Sequence, residues 1–244
     1  MARVAEIANA IGGPELEDLL IELGYWDLLL GRFKAAEVSF RNLRNPWVEH
    51  QSLVQTALAR GDARALRQQL DDWTRTPNTI LEPAETMLLV RAGRWSDAAK
   101  WISIHEQHKY PDAVLKTLRG ELALARGRTQ EAIPLLKDGV EGVRDTAGRM
   151  YFLGSESLAN ALLRQGDLSA AITVLERAGQ LKWLVVTFRP AGPLWIRNEI
   201  LLAQFYRRAG REQDAQQVEA TLRQLLAFAD PDDPILAELK RPGE

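Results

Sequence analysis

Residues 123–136 read ALARGRTQEAIPLL, and Gly127 divides them into two apolar patterns of helical period. A glycine at the end of a helix takes left-handed backbone without a side-chain penalty, so Gly127 predicts a corner. The second pattern begins two or three residues later, with Thr129 near the cap and Ala132 about one turn in. A small side chain there lets the second helix approach the first closely. This short stretch therefore predicts a helical hairpin with a tight turn.

The same pair recurs along the chain. Gly31 is followed by Ala36 in GRFKAAEVSF, Gly93 by Ala98 in GRWSDAAKWI, Gly166 by Ala171 in GDLSAAITVL, and Gly210 by Ala215 in GREQDAQQV. Gly61 in GDARALRQQL is a weaker sixth member, with Leu66 at the alanine position and Ala65 beside it. Successive glycines lie 30, 32, 34, 39 and 44 residues apart. Self-similarity at such a period is the mark of a repeat architecture, in which each unit buries its apolar face against its neighbours. Asp62 and Asp167 stand where the second helices of their units would need a cap.

The pattern resembles the tetratricopeptide repeat (TPR) family, whose unit is about 34 residues of helix–turn–helix. The first unit carries Leu20, Leu23, Gly24, Gly31, Ala36 and Phe40 at the family's apolar and small positions. The fifth carries Leu158, Ala159, Leu162, Gly166, Ala171, Leu175 and Ala178, and the sixth Leu202, Ala203, Tyr206, Gly210 and Ala215. The fourth keeps Gly120, Gly127, Ala132 and Leu136; the third departs at Glu85 and Thr86, and the second matches least. The resemblance implies an all-α fold, a right-handed superhelical solenoid of about six helical hairpins with a C-terminal capping helix. Residues 1–13 are a lead-in, 14–228 the repeat array, and 229–244 the capping helix and tail, in which Asp230 or Asp233 would cap a short helix. An insertion near 179–195 carries Trp183 and Trp195, with Pro190 and Pro193 barring one long helix across it. The two tryptophans either fill core between lengthened helices or present an apolar edge to a partner.

Composition excludes several functions. The chain has 31 Lys and Arg against 33 Asp and Glu, a formal charge of −2, so no general basic field awaits nucleic acid. With no cysteine there is no disulfide, thiolate metal site or thiol nucleophile. The longest apolar run, WLVVTF at 183–188, is far below the roughly 18 residues of a membrane span. MARVAEIANAIGG is a poor signal peptide, broken by Glu6 and Asn9, and a cytoplasmic protein is expected. His105 and His108 in HEQH have the spacing of shared metal ligands but no third ligand nearby, and two solvated histidines at a helix end are expected instead. DPDD at 230–233 lacks the spaced oxygens and glycine of a calcium loop. Asp71 and Asp72 are adjacent and so face different directions. No cofactor, no resident metal and no enzymatic activity are expected.

What remains is the surface such an array offers. In the family, first helices line a concave groove that binds a peptide or partner protein. The resemblance implies that Asn160, Arg164, Arg197, Gln204, Arg207 and Arg208 face it, with Glu156 where a chaperone-binding member would have lysine. Arginine forks and amides of this kind suit an acidic or carboxylate-bearing segment. A non-catalytic protein–protein interaction scaffold is the expected role. The alternative is a regulatory or sensory segment of a larger bacterial signalling protein (a kinase, cyclase or transcription regulator). The first helix is acidic, with Glu15, Glu17, Asp18, Glu22 and Asp27, and the far end is basic, which leaves open a head-to-tail homo-oligomer.

Overall fold

The computed structural model describes residues 14–75, 80–146, 148–182, 185 and 189–239. Among them the fold is all-α: thirteen α-helices, one 3-10 turn at Arg189–Ala191 and no strand. The chain divides into two compact units. One holds residues 1–73 together with 225–244, the other residues 74–224.

The first unit opens with α1 (Pro14–Leu29) and α2 (Phe33–Arg41), followed by α3 (Pro46–Ala59) and α4 (Ala63–Arg75). Tyr25, Leu28, Phe33, Ala36 and Phe40 close the first hairpin's core. The Phe40 ring occupies the space that a Cβ on Gly24 would need. Asn45 caps α3 by accepting from the Trp47 N–H, with Pro46 pre-set for the first turn. Trp73 of α4 is fully buried and meets the Trp47 ring edge-on at 6.1 Å.

The tail belongs to this same unit and ends in α13 (Pro234–Leu239). Asp233 caps α13 by accepting from the Ile235 and Leu236 N–H groups. Asp230 caps a different helix. Its side chain accepts from the Lys34 N–H at the start of α2, and its own N–H donates to the Gly31 carbonyl. Arg32, the N-cap residue of α2, supplies no side-chain cap. A residue 196 positions away therefore completes the helix, and Lys34 pairs with Asp232 beside it at 2.9 Å.

The second unit holds four hairpins. These are α5 (Pro83–Arg91) with α6 (Trp95–Gln107), and α7 (Asp112–Ala125) with α8 (Thr129–Val143). They are followed by α9 (Gly148–Gln165) with α10 (Leu168–Gln180), and α11 (Gly192–Arg208) with α12 (Glu212–Leu225). The first helix of each pair is buried along most of its length, as in Pro83–Val90, whereas the second buries one stripe, such as Ala98, Ile102 and His105. Of the insertion, the described residues 189–195 form the 3-10 turn and the start of α11, which begins at Gly192.

Each predicted corner is a left-handed glycine: Gly31, Gly61, Gly93, Gly127, Gly166 and Gly210 all have φ between 66° and 91°. At Gly127 the Arg128 N–H returns to the Ala123 carbonyl and the Gly127 N–H to Leu124, the paired bonds that satisfy a helix end. The partner alanines Ala36, Ala98, Ala132, Ala171 and Ala215 are fully buried. The α7–α8 pair is the tightest example. A Cβ on Gly139 would lie 2.6 Å from the Thr117 backbone nitrogen and 2.9 Å from the Ala113 carbonyl oxygen. Gly139→Ala is expected to destabilise by about 2 kcal/mol, although alanine is the better helix former by about 1 kcal/mol. Equilibrium urea unfolding measures this; unchanged or raised stability would mean that the two backbones can separate freely.

His105 is a correction to the sequence reading. It is buried rather than solvated, its Nε2 lies 3.0 Å from Thr86 Oγ1, and the Tyr110 ring packs 4.7 Å away. Burial, with His108 adding to it, lowers its pKa to about 4. Among the described residues no group of three His, Cys, Asp or Glu is placed to hold a metal ion, and no helix is long and apolar enough to cross a membrane.

Candidate functional site

The second unit contains a groove of about 510 Å³ lined by α5, α7, α9 and α11 and by the turn that leads into α6. Its floor is one charged network. Arg91, at the end of α5, is held by Glu121 of α7 (Nε–Oε1 3.0 Å) and by Glu156 of α9 (Nη1–Oε2 2.9 Å). Its remaining donors reach the Leu153 carbonyl at 2.8 Å and Ser157 Oγ at 3.0 Å. Glu156 uses its other oxygen on Arg197 Nη2 of α11, at 2.8 Å. Four first helices are thus tied by alternating charges.

The protonation states follow from that geometry. Burial alone would raise the Glu156 carboxyl, but Arg91 and Arg197 overturn that and hold its pKa at about 2. Burial likewise opposes the Arg91 charge, and Glu156 with Glu121 more than restores it. Glu156 and Arg91 therefore remain ionised across the physiological range and are unsuited to proton transfer near neutrality.

Above the floor, Asn160 and Arg164 extend the stripe that Glu156 begins, each one turn further along α9. Both line the groove, and neither has a hydrogen bond or ion pair among the described residues. Trp95 stands 42% exposed at the lining, with Val90, Leu124 and Ala125 supplying aliphatic wall.

Of the six groove residues that the sequence suggests, the structure brings three together: Asn160, Arg164 and Arg197. Gln204 and Arg208 are exposed on α11 outside this groove, with the Arg208 guanidinium 5.9 Å from the Phe205 ring centre. Arg207 is a structural cation. It pairs with Glu219 and, at 3.5 Å, with Glu212, and Arg223 reaches the same Glu219 at 3.0 Å. Reversing its charge would therefore disturb the α11–α12 hairpin as well as any ligand. Trp195 is buried at 6% exposure and so offers no apolar edge, because lengthening α11 carries it into the interior. Trp183 lies outside the described residues.

Sequence reasoning missed Arg91, Glu121 and Trp95. The signal was present: Arg91 precedes Gly93 by the same step as Arg164 precedes Gly166, and Glu121 occupies the register of Asn160. A second cavity of about 550 Å³ lies by the N-terminal ends of α5, α7 and α9, where Arg149 is already held by Glu85 and Glu82. No protein-family model matches the chain, and no similar curated protein or solved structure was found.

Proposed function

We propose that the chain is a non-catalytic interaction scaffold of tetratricopeptide type, which binds an extended segment of a partner protein in the second unit's groove. One observation carries this reading. Asn160 and Arg164 sit on adjacent turns of α9, line the groove and have no partner among the described residues, while the charges below them pair with one another. An amide with both donor and acceptor suits a peptide main chain, and a guanidinium fork suits a carboxylate. The corner glycines and buried alanines support the repeat assignment, and the predicted right-handed stacking is part of the proposal.

The test compares the parent chain with Asn160→Ala/Arg164→Glu in co-purification from a cell lysate. Any protein retained by the parent is then added back pure under hydrogen exchange. Protection of α9 and α11, lost in the variant, is the expected result. Retention that ignores the variant would place binding elsewhere on the molecule.

A further inference from the structure

Five charged side chains line the groove, and four of them are committed. Arg91, Glu121, Glu156 and Arg197 form the floor network, which leaves Arg164 as the one cation there without an ion pair among the described residues. Three guanidiniums stand against two carboxylates, an excess of one positive charge. A first carboxylate entering the groove meets Arg164. A second would have to face Glu121 and Glu156 or pull Arg197 away from Glu156, and like charges brought together in a confined space oppose binding strongly. A phosphate monoester brings close to two negative charges and three acceptor oxygens, and so presents the same mismatch. Part of the same groove's lining is apolar, with Trp95 offering indole surface and Val90, Leu124 and Ala125 aliphatic wall. Asn160, one turn before Arg164 on α9, can hold one main-chain unit of the same segment.

We infer that the groove selects a peptide segment with a single carboxylate next to an aromatic or proline side chain, and turns away phosphorylated and poly-acidic segments. This rests on the peptide-binding reading above and narrows it to one class of partner.

Arg164 is exposed and makes no ion pair among the described residues, so Arg164→Ala removes the selecting charge without threatening the fold. The probe is a library of short random peptides displayed on phage, selected in parallel on the parent, Arg164→Ala and Asn160→Ala. The expected enriched sequences contain one Asp or Glu, or a free C-terminal carboxylate, beside Trp, Tyr, Phe or Pro. As synthetic peptides they should weaken by about 10- to 100-fold on Arg164→Ala, the loss of one charged hydrogen-bonded contact. Adding a second acidic residue or a phosphoserine should weaken binding, and binding left unchanged by both overturns the exclusion of phosphorylated and poly-acidic segments. Affinity that climbs with each added negative charge, or that is kept by Arg164→Ala while lost by Asn160→Ala, overturns the single-carboxylate inference alone. Enrichment insensitive to both variants, or no enrichment at all, overturns the groove reading and this inference with it.

Discussion

Glu156→Ala is expected to lower the stability of the second unit by about 3–5 kcal/mol, the scale of breaking a buried ion pair from one side. The carboxylate serves two guanidiniums at once, Arg91 on α5 and Arg197 on α11, and the three side chains are only 15%, 16% and 29% exposed. Alanine leaves Arg91 with Glu121 alone and Arg197 without its carboxylate partner, both still short of water. A melting temperature lower by about 10 °C follows for a chain of this size. Because the chain has two units, exchange of the α9 amides is the sharper reading, since it reports where the loss falls. Glu131→Ala is the control: it removes an exposed pair with Arg128 and should change stability by at most about 1 kcal/mol. Equal effects from the two variants would show that the groove floor is solvated and holds nothing together.

The same carboxylate makes the parent sensitive to acid. Its folded pKa, about 2, lies below the ordinary 4.5. A depressed carboxyl contributes stability that is complete above the unfolded value and is lost as pH falls through the folded one. The parent should therefore lose roughly 3 kcal/mol from this group between about pH 4.5 and pH 2, and Glu156→Ala should lack that component. A pH titration of denaturation midpoints for both chains measures the difference.

How much of this was legible in the sequence depends on which force places each residue. The hairpins were legible because a left-handed corner admits glycine almost alone and a close helix crossing admits alanine, so backbone geometry is written directly in residue type. One corner escapes that rule. Lys109 takes φ 57° at the end of α6, and the Tyr110 N–H closes back to the His105 carbonyl just as at the glycine corners. The groove was only half legible. The repeat register finds Asn160, Arg164 and Arg197, yet whether an arginine is free or already committed depends on carboxylates 30 and 65 residues away, as Arg91 shows. Arg207 is likewise already paired, with Glu219 on the next helix, which its register position does not announce. Periodicity places side chains on a face; it does not say which opposite charge faces them. The docking of Asp230 on α2 has no local signal, since it joins positions 196 apart.

Arg149→Ala is the second large expected effect, and it acts through a carboxyl whose pKa is raised rather than lowered by the fold. Arg149, 6% exposed on α9, pairs with the fully buried Glu85 of α5 and, at 2.6 Å, with Glu82. Burial already holds the Glu85 carboxyl above its ordinary range, with Arg149 only partly offsetting it. Removing the guanidinium leaves a carboxylate with one oxygen unsatisfied even in the parent, at an expected loss of about 3–5 kcal/mol near neutrality. A carboxyl with a raised folded pKa is most favourable when protonated, so the deficit relative to the parent should shrink as pH falls towards 4.5 and grow as pH rises. Glu85→Leu with Arg149→Met tests the origin of the loss. Apolar side chains of similar volume in place of both charges should restore stability to within about 1 kcal/mol of the parent or exceed it. If the double substitution is as damaging as the single one, the pair itself is net stabilising. If it recovers, the penalty of Arg149→Ala belongs to the stranded Glu85, and what the pair supplies is the relative placement of the α5 and α9 N-terminal turns, the same two helices that carry Arg91 and Glu156 into the groove.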